Sequence, residues 1–240
     1  MNRRLCAALF LLGLPGLAAM SLLGFPALAN TEVLPAPLWV LQLGSALQGA
    51  LLLLAAVLAG ARFAPGLGLD APVVAACMEG RPAGGLLRAQ LLPALLGGLL
   101  GGLVIAAAGT IGPAALRSAS DDVPLVVRLL YGGVTEELLL RWGLMTLLAA
   151  GFVRVASRLR LSPALGIRLA IVASALAFGA AHLPSLMARS AELTTATVLF
   201  VVFANAAFGL VAGWLYWRRG LEAAILAHVV AHAASAVMIG

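Results

Sequence analysis

The sequence predicts an all-α, polytopic membrane protein, a bundle of about seven transmembrane helices around a buried polar site. Hydrophobic residues make up 63% of the 240-residue chain and charged residues 10%, whereas charged residues alone are about a quarter of a typical soluble domain. A bilayer core about 30 Å thick needs about 20 apolar residues per helix. The segments that meet or nearly meet this length are approximately 5–28, 38–61, 86–109, 123–152, 166–188, 195–217 and 221–239.

Arginines in the connectors predict how the chain is oriented. All 15 basic residues are arginine, and short loops rich in arginine stay on the cytoplasmic side of a membrane. If the N-terminus is cytoplasmic, only Arg117 and Arg189 fall in outer loops, and the C-terminus lies outside. The exclusive use of arginine and the abundance of alanine are typical of a GC-rich bacterial genome. We therefore expect an integral protein of a bacterial inner membrane.

We expect one structural unit with two functional parts. Residues 1–122 carry no candidate catalytic group and are predicted to form a scaffold that controls substrate access, whereas residues 123–240 carry the polar groups. The first segment leaves a cleaved signal peptide open, because Ala27–Ala29 resembles a cleavage site. The run Leu5–Gly24 is longer than a usual signal-peptide core, which favours an uncleaved helix.

Small residues predict where helices approach closely. Glycines four apart permit close helix packing in membranes, within one chain or between chains. Such pairs are Gly97 with Gly101, Gly98 with Gly102, and Gly209 with Gly213. They do not decide the oligomeric state.

Three charged residues interrupt the apolar fourth segment, in the stretch YGGVTEELLLRWG. Charges at membrane depth are costly and mark functional sites. Glu137 and Arg141 are four residues apart, the spacing of a helical ion pair. Glu136 points about 100° away on an α-helix and has no basic partner nearby in the sequence, so we expect it to be free for chemistry. Arg128 lies near the helix end, where it is expected to snorkel to the surface.

All three histidines of the chain fall within predicted membrane helices. Pro184, two residues after His182, predicts that the fifth helix kinks or ends there. His228 and His232 are four apart on the last helix, so both rings lie on one face. A single such histidine is at least as often a partner for a neighbouring helix as a catalyst. Their coincidence with Glu136 favours one convergent site.

These motifs, read in order as EExxxR, FxxxH and HxxxH, resemble the CPBP family of intramembrane proteases. That family includes CAAX prenyl endopeptidases and bacterial proteins linked to bacteriocin processing or immunity. The resemblance covers about Leu130–Gly240, with a weaker echo in GLGLDAP at Gly66–Pro72. Each motif is weak alone, but their order and spacing on separate helices are fairly specific.

The resemblance implies a role for each motif residue. Glu136 and His182 would activate a water molecule for attack on a peptide bond. Glu137 and Arg141 would support the site. His228 would stabilise the oxyanion, which needs a hydrogen-bond donor aimed at developing negative charge.

His232 departs from the family pattern, which has Asn or Asp at this position. A histidine can donate a hydrogen bond as Asn does, but it can also be protonated or bind a metal. The residue types of Glu136, His182, His228 and His232 would suit Zn²⁺. HExxH is absent, however. We therefore favour a mechanism without cofactor or metal, with zinc as the alternative.

The leading hypothesis is an intramembrane endopeptidase acting on a peptide or protein substrate, including lipidated ones, within the lipid bilayer. One alternative is a non-catalytic binding or immunity protein of the same family. A less favoured one is a proton-coupled transporter, since Glu and His also form proton relays in membranes. Nucleic acid is not an expected partner, because no basic run interleaved with aromatic residues is present.

Overall fold

The computed structural model describes residues 2–28, 34–113, 123–189 and 194–239, and the regular structure in these ranges is helical. Its long helices match the predicted segments in number and order. They are α1 (Arg3–Ala19), α2 (Leu38–Phe63), α3 (Gly84–Ile111), α4 (Leu125–Arg158), α5 (Pro163–Ala180), α6 (Thr195–Arg219) and α7 (Leu221–Ile239). α1 continues through a π-helical turn, Met20–Gly24, into Phe25–Leu28.

Counted with these extensions, seven helices in the described ranges are long and apolar enough to cross a membrane. The predicted all-α bundle is therefore confirmed, and the chain is an integral membrane protein. Arg117 lies outside the described residues. The orientation and the bacterial location stay predictions.

α4 departs from the α-helical geometry assumed from the sequence. Arg128–Glu136 and Leu138–Met145 are π-helical, with ordinary α-helix resuming at Thr146–Arg158. A π-helix closes its hydrogen bonds over one more residue than an α-helix, and it frequently occurs at functional sites. The turn of 100° per residue assumed from α-helical geometry therefore does not hold along these two stretches.

Glycines of α3 bring this helix close to α7. A Cβ at Gly98 would lie 2.6 Å from the carbonyl oxygen of Ala227, and one at Gly102 would lie 2.8 Å from Cβ of Ala234. Gly209 of α6 packs in the same way on α5, against Ala175. The predicted glycine pairs therefore serve packing within the chain. They fix the position of α7, which carries two of the histidines.

The segment Gly66–Pro72, the weak echo of the family pattern, holds the start of α7. The backbone N–H of Leu221 donates to the carbonyl oxygen of Asp70 at 3.0 Å. Gly220 has φ of 104° and lies against the ring of Pro72, a conformation that favours glycine. This contact sets the depth at which α7 begins.

α1 packs on the side of α4 that carries Thr135. The Thr135 hydroxyl is buried and donates to the carbonyl oxygen of Gly13 at 2.8 Å. Gly16 lies directly against Thr135, where a larger residue would collide with the hydroxyl. The first helix therefore supports the helix that carries the candidate site.

Candidate active site

A buried carboxylate, Glu137, stands at the centre of the polar site and joins α4 to α7. Its Oε1 atom lies 2.8 Å from Nδ1 of His228, and its Oε2 atom lies 3.2 Å from Nε of Arg141. The side chains of Glu137 and Arg141 are 0% and 1% exposed. A buried charge needs such partners. The ion pair predicted from the i,i+4 spacing is confirmed.

Arg141 connects this pair to α5 and α6. Its Nη2 atom donates to the carbonyl oxygen of Gly209 at 3.4 Å. Its Cζ atom lies 4.8 Å from the centre of the Phe178 ring, a cation–π contact. Nε faces Glu137 without the alignment of a hydrogen bond, and Nη1 has no hydrogen-bond partner among the described residues. Charge and ring contacts therefore hold this guanidinium more than hydrogen bonds do.

His228 is held between aromatic rings in a defined orientation. Its ring centre lies 4.6 Å from that of Phe208 and 5.8 Å from that of Phe178. A carboxylate can only accept hydrogen bonds, so Nδ1 of His228 carries the proton that it shares with Glu137. The Nε2 atom remains available for another partner. Glu137 thus fixes the orientation of this imidazole and keeps a proton on its Nδ1 atom.

His182 lies at a break in the chain, as Pro184 predicted. α5 ends at Ala180, and a new short helix begins at Leu183. Nδ1 of His182 lies 2.8 Å from the carbonyl oxygen of Phe178, which can only accept, so Nδ1 is the donor. The rings of His182 and Phe178 meet edge to face at 4.8 Å. Nε2 of His182 is again the free nitrogen.

Phe178 is the residue that brings the three motifs together. Its ring contacts His182 of the same motif, Arg141 of α4 and His228 of α7. Phe178 therefore links His182, at the break after α5, to the Glu137, Arg141 and His228 cluster.

Glu136 has a different setting from its neighbour. It is half-buried, and within the described ranges it makes no hydrogen bond or ion pair. The sequence interpretation gave Glu137 only Arg141 as a partner. The structure adds His228, whose Nδ1 atom contacts Glu137 directly. Glu136 is the carboxylate whose oxygens remain available to water or substrate.

His232 stacks on His228, which confirms that both rings lie on one face of α7. Their centres are 4.8 Å apart with the planes 23° from parallel. Nδ1 of His232 is buried without a hydrogen-bond partner in the described part of the chain. A Cβ at Gly132 would lie 2.6 Å from Nε2 of His232. The ring therefore fits only because α4 has a glycine there.

Arg128 does not snorkel as predicted. Its Nη2 atom donates to Oγ of Ser235 at 2.8 Å and approaches the carbonyl oxygen of His232 at 3.5 Å. The physical reason is that Ser235 lies on α7 facing α4, where its hydroxyl oxygen accepts a hydrogen bond from Arg128. Arg128 therefore ties α4 to α7 beside the site.

The zinc alternative required Glu136, His182, His228 and His232 to converge on one ion. Across residues 2–28, 34–113, 123–189 and 194–239, no group of three or more His, Cys, Asp or Glu side chains is arranged to hold a metal ion. Nδ1 of His228 is already engaged by Glu137. This arrangement of side chains does not fit a zinc site.

Sequence reasoning missed Phe208, Gly132 and Ser235. A phenylalanine or serine in an apolar helix gives no signal of its own. The pair Gly132 and Gly133, directly before the two glutamates, could have indicated a close approach by another helix. Gly133 does lie against Val229 of α7.

Comparison with known families identifies the part of the chain that carries this site. A family model described as Type II CAAX prenyl endopeptidase Rce1-like matches residues 118–234. Neither the search of curated proteins nor the search of solved structures gave a match. Apart from Ser235, the site residues described above lie within the matched range. The chain therefore carries a domain of the Rce1-like type II CAAX prenyl endopeptidase family, the CPBP family, over residues 118–234.

Proposed function

We propose that the protein is an intramembrane endopeptidase that hydrolyses a peptide bond with water activated by Glu136 and His182. The observation that carries the proposal is the buried Arg141–Glu137–His228 cluster, with Phe178 joining it to His182. Such an arrangement holds two imidazoles rigidly and leaves one nitrogen of each free. Preorganised groups of this kind lower the barrier to acyl transfer.

Glu136 is the general base in this mechanism. Its half-buried carboxylate has no competing partner among the described side chains, so it can accept a proton from water while the water oxygen attacks the scissile carbonyl carbon. His182 holds the same water through Nε2, because Nδ1 is committed to the Phe178 carbonyl. The proton then passes to the amine that leaves.

His228 stabilises the oxyanion of the tetrahedral intermediate. This role needs a proton on Nε2, and Nδ1 already donates to Glu137, so the donor is the doubly protonated ring. The Glu137 carboxylate, 2.8 Å away, stabilises the imidazolium form of the ring. Glu137 and Arg141 are positioning residues, and His232 supports the His228 ring from its other side.

The substrates are peptides, as the protease family implies. The site lies within membrane-spanning helices, so we propose a substrate that enters from the bilayer, including lipidated ones. Residues 1–122 act as scaffold and access route, and residues 123–240 carry the chemistry.

The test is cleavage of a mixed peptide library by purified protein in nanodiscs, read by mass spectrometry. Glu136→Gln removes the base while it keeps the side-chain size. Glu79→Gln is the matched control, because Glu79 is an exposed carboxylate outside the long helices. Parallel reactions contain a strong chelator.

We expect Glu136→Gln to lower cleavage by at least about 10²-fold, within the range for loss of a general base. Glu79→Gln and the chelator should leave the rate unchanged. Wild-type cleavage by Glu136→Gln would refute the mechanism. Cleavage lost with chelator and restored by zinc would replace it with a metal mechanism.

A non-catalytic membrane binding or immunity protein of the same family is the second candidate. One observation favours it: His232 occupies the position of the family Asn or Asp. Biological activity that survives both Glu136→Ala and His182→Ala would select this function.

A further inference from the structure

A second site lies at the end of the bundle where α2 and α4 finish, away from the histidines. It is an open cavity of about 740 Å³. Three arginines line it, Arg62, Arg154 and Arg158, together with the hydroxyl of Ser157 and the apolar side chains of Phe63 and Val153. We call it the arginine cavity.

The three guanidinium groups of the arginine cavity have no carboxylate partner in the part of the chain that the structure describes. Each arginine is exposed. Arg154 and Arg158 are four apart on α4, which places them on one helix face. Like charges gathered at one cavity repel each other, so an anion bound among them would relieve the repulsion.

The cavity lies at the depth of lipid headgroups. Arg62 is in the last turn of α2, and Arg158 is in the last turn of α4. Both helices belong to spans apolar enough to cross a bilayer. Attraction to the helix C-terminus explains one arginine on each helix. It does not explain why arginines of two helices meet around one space with a hydroxyl donor and apolar walls.

An adjoining cavity of about 380 Å³ extends this space. It shares Arg62 and Pro65 with the arginine cavity and is also lined by Leu5, Ala61 and Trp142. A charged compartment beside a mainly apolar one matches a molecule with an anionic head and a hydrocarbon part. Basic pockets between membrane helices bind anionic lipid headgroups in this way.

We propose that the arginine cavity binds the phosphate of an anionic phospholipid from the bilayer, with Arg62, Arg154 and Arg158 as its ligands. The lipid is a structural partner of the helix ends. The site is independent of peptide hydrolysis and stands whether or not the chain is a protease.

The first test is lipid binding measured by native mass spectrometry on purified protein. The protein is titrated with phosphatidylglycerol, with phosphatidylcholine in a separate arm and inorganic phosphate as competitor. The cavity variant is Arg62→Gln/Arg154→Gln/Arg158→Gln. The control removes the same charge from exposed arginines elsewhere and is Arg88→Gln/Arg218→Gln/Arg219→Gln.

We expect the cavity variant to bind phosphatidylglycerol at least about tenfold more weakly than wild type, because each arginine near a headgroup contributes to affinity. The control should keep wild-type affinity. An equal loss in both variants, or no loss in the cavity variant, would overturn the proposal. Inorganic phosphate that displaces the lipid at equal concentration would assign the cavity to a soluble anion instead.

A second variant tests the cavity without changing charge. Gly66 lines the cavity, and a Cβ there meets open space, so Gly66→Phe can place a ring in the cavity. Gly85→Phe is the control, because Gly85 is also exposed and open. Gly66→Phe should lose phosphatidylglycerol binding as the arginine variant does. Retained binding would overturn the proposal even if the triple variant cannot be purified.

Discussion

Replacing Arg141 by methionine should destabilise the bundle by about 3–5 kcal/mol, the cost of leaving a buried charge without its partner. Glu137 is fully buried, and Nε of Arg141 lies 3.2 Å from its Oε2 atom. After Arg141→Met, His228 is the one polar partner left beside the carboxylate among the described residues. The contact of the guanidinium with the Phe178 ring is lost as well. Methionine fills most of the space, so the cost is electrostatic rather than a cavity.

The double variant Glu137→Gln/Arg141→Met separates charge from packing. Glutamine keeps an oxygen that accepts from Nδ1 of His228 and removes the charge that Arg141 balances. We therefore expect most of the stability to return, with a coupling free energy of about 2–4 kcal/mol between the two positions.

Unfolding in mixed micelles, with sodium dodecyl sulfate as denaturant and circular dichroism as signal, gives the free energy of each variant. Arg88→Met is the control, because Arg88 is exposed and such substitutions stay within about 0.5 kcal/mol. A loss below about 1 kcal/mol in Arg141→Met, or strictly additive effects in the double variant, would refute the view that this ion pair organises the site.

Three further predictions concern packing and backbone. Gly132→Ala should displace the His232 ring, because the new Cβ would lie 2.6 Å from its Nε2 atom; we expect about 1–3 kcal/mol of destabilisation, measured by the same unfolding assay, and slower peptide cleavage. Arg160 has φ of 58° directly after α4, so Arg160→Gly should raise the free energy of unfolding by roughly 0.5–1 kcal/mol. Gly98→Ala should lower the free energy of unfolding by about 1–3 kcal/mol. Gly44→Ala should not lower it, because a Cβ at Gly44 meets open space.

Each of these has an outcome that would contradict it. A Gly132→Ala protein with wild-type stability and cleavage would show that the His232 ring moves freely. Destabilisation by Arg160→Gly would mean that the arginine side chain, rather than its backbone, matters at that turn. Equal effects of Gly98→Ala and Gly44→Ala would remove the close approach of α3 and α7 as their cause.

The bundle itself was predictable because it depends on a short-range property. Seven apolar segments separated by charged connectors leave few alternatives, since a backbone in lipid must satisfy its own hydrogen bonds and does so as a helix. The break after α5 was also predictable from a local property, because proline at position 184 lacks the N–H that a continuing helix needs. The π-helical geometry of α4 was not predictable, since no residue type in that segment is specific to a π-helix.

The sequence alone determined the membrane bundle, the motif residues and the pair Glu137 and Arg141. Each of these depends on residues that are close together along the chain. Only the tertiary structure decided that His228 binds Glu137 across 91 positions, that Phe178 joins the motifs, and that Arg62, Arg154 and Arg158 meet in one cavity. Contacts between helices depend on how deep each helix sits and how it is rotated. The depth and rotation of the helices are set by close packing at glycines such as Gly98 and by the wider turns of α4. These two features do not follow from residue types and spacing.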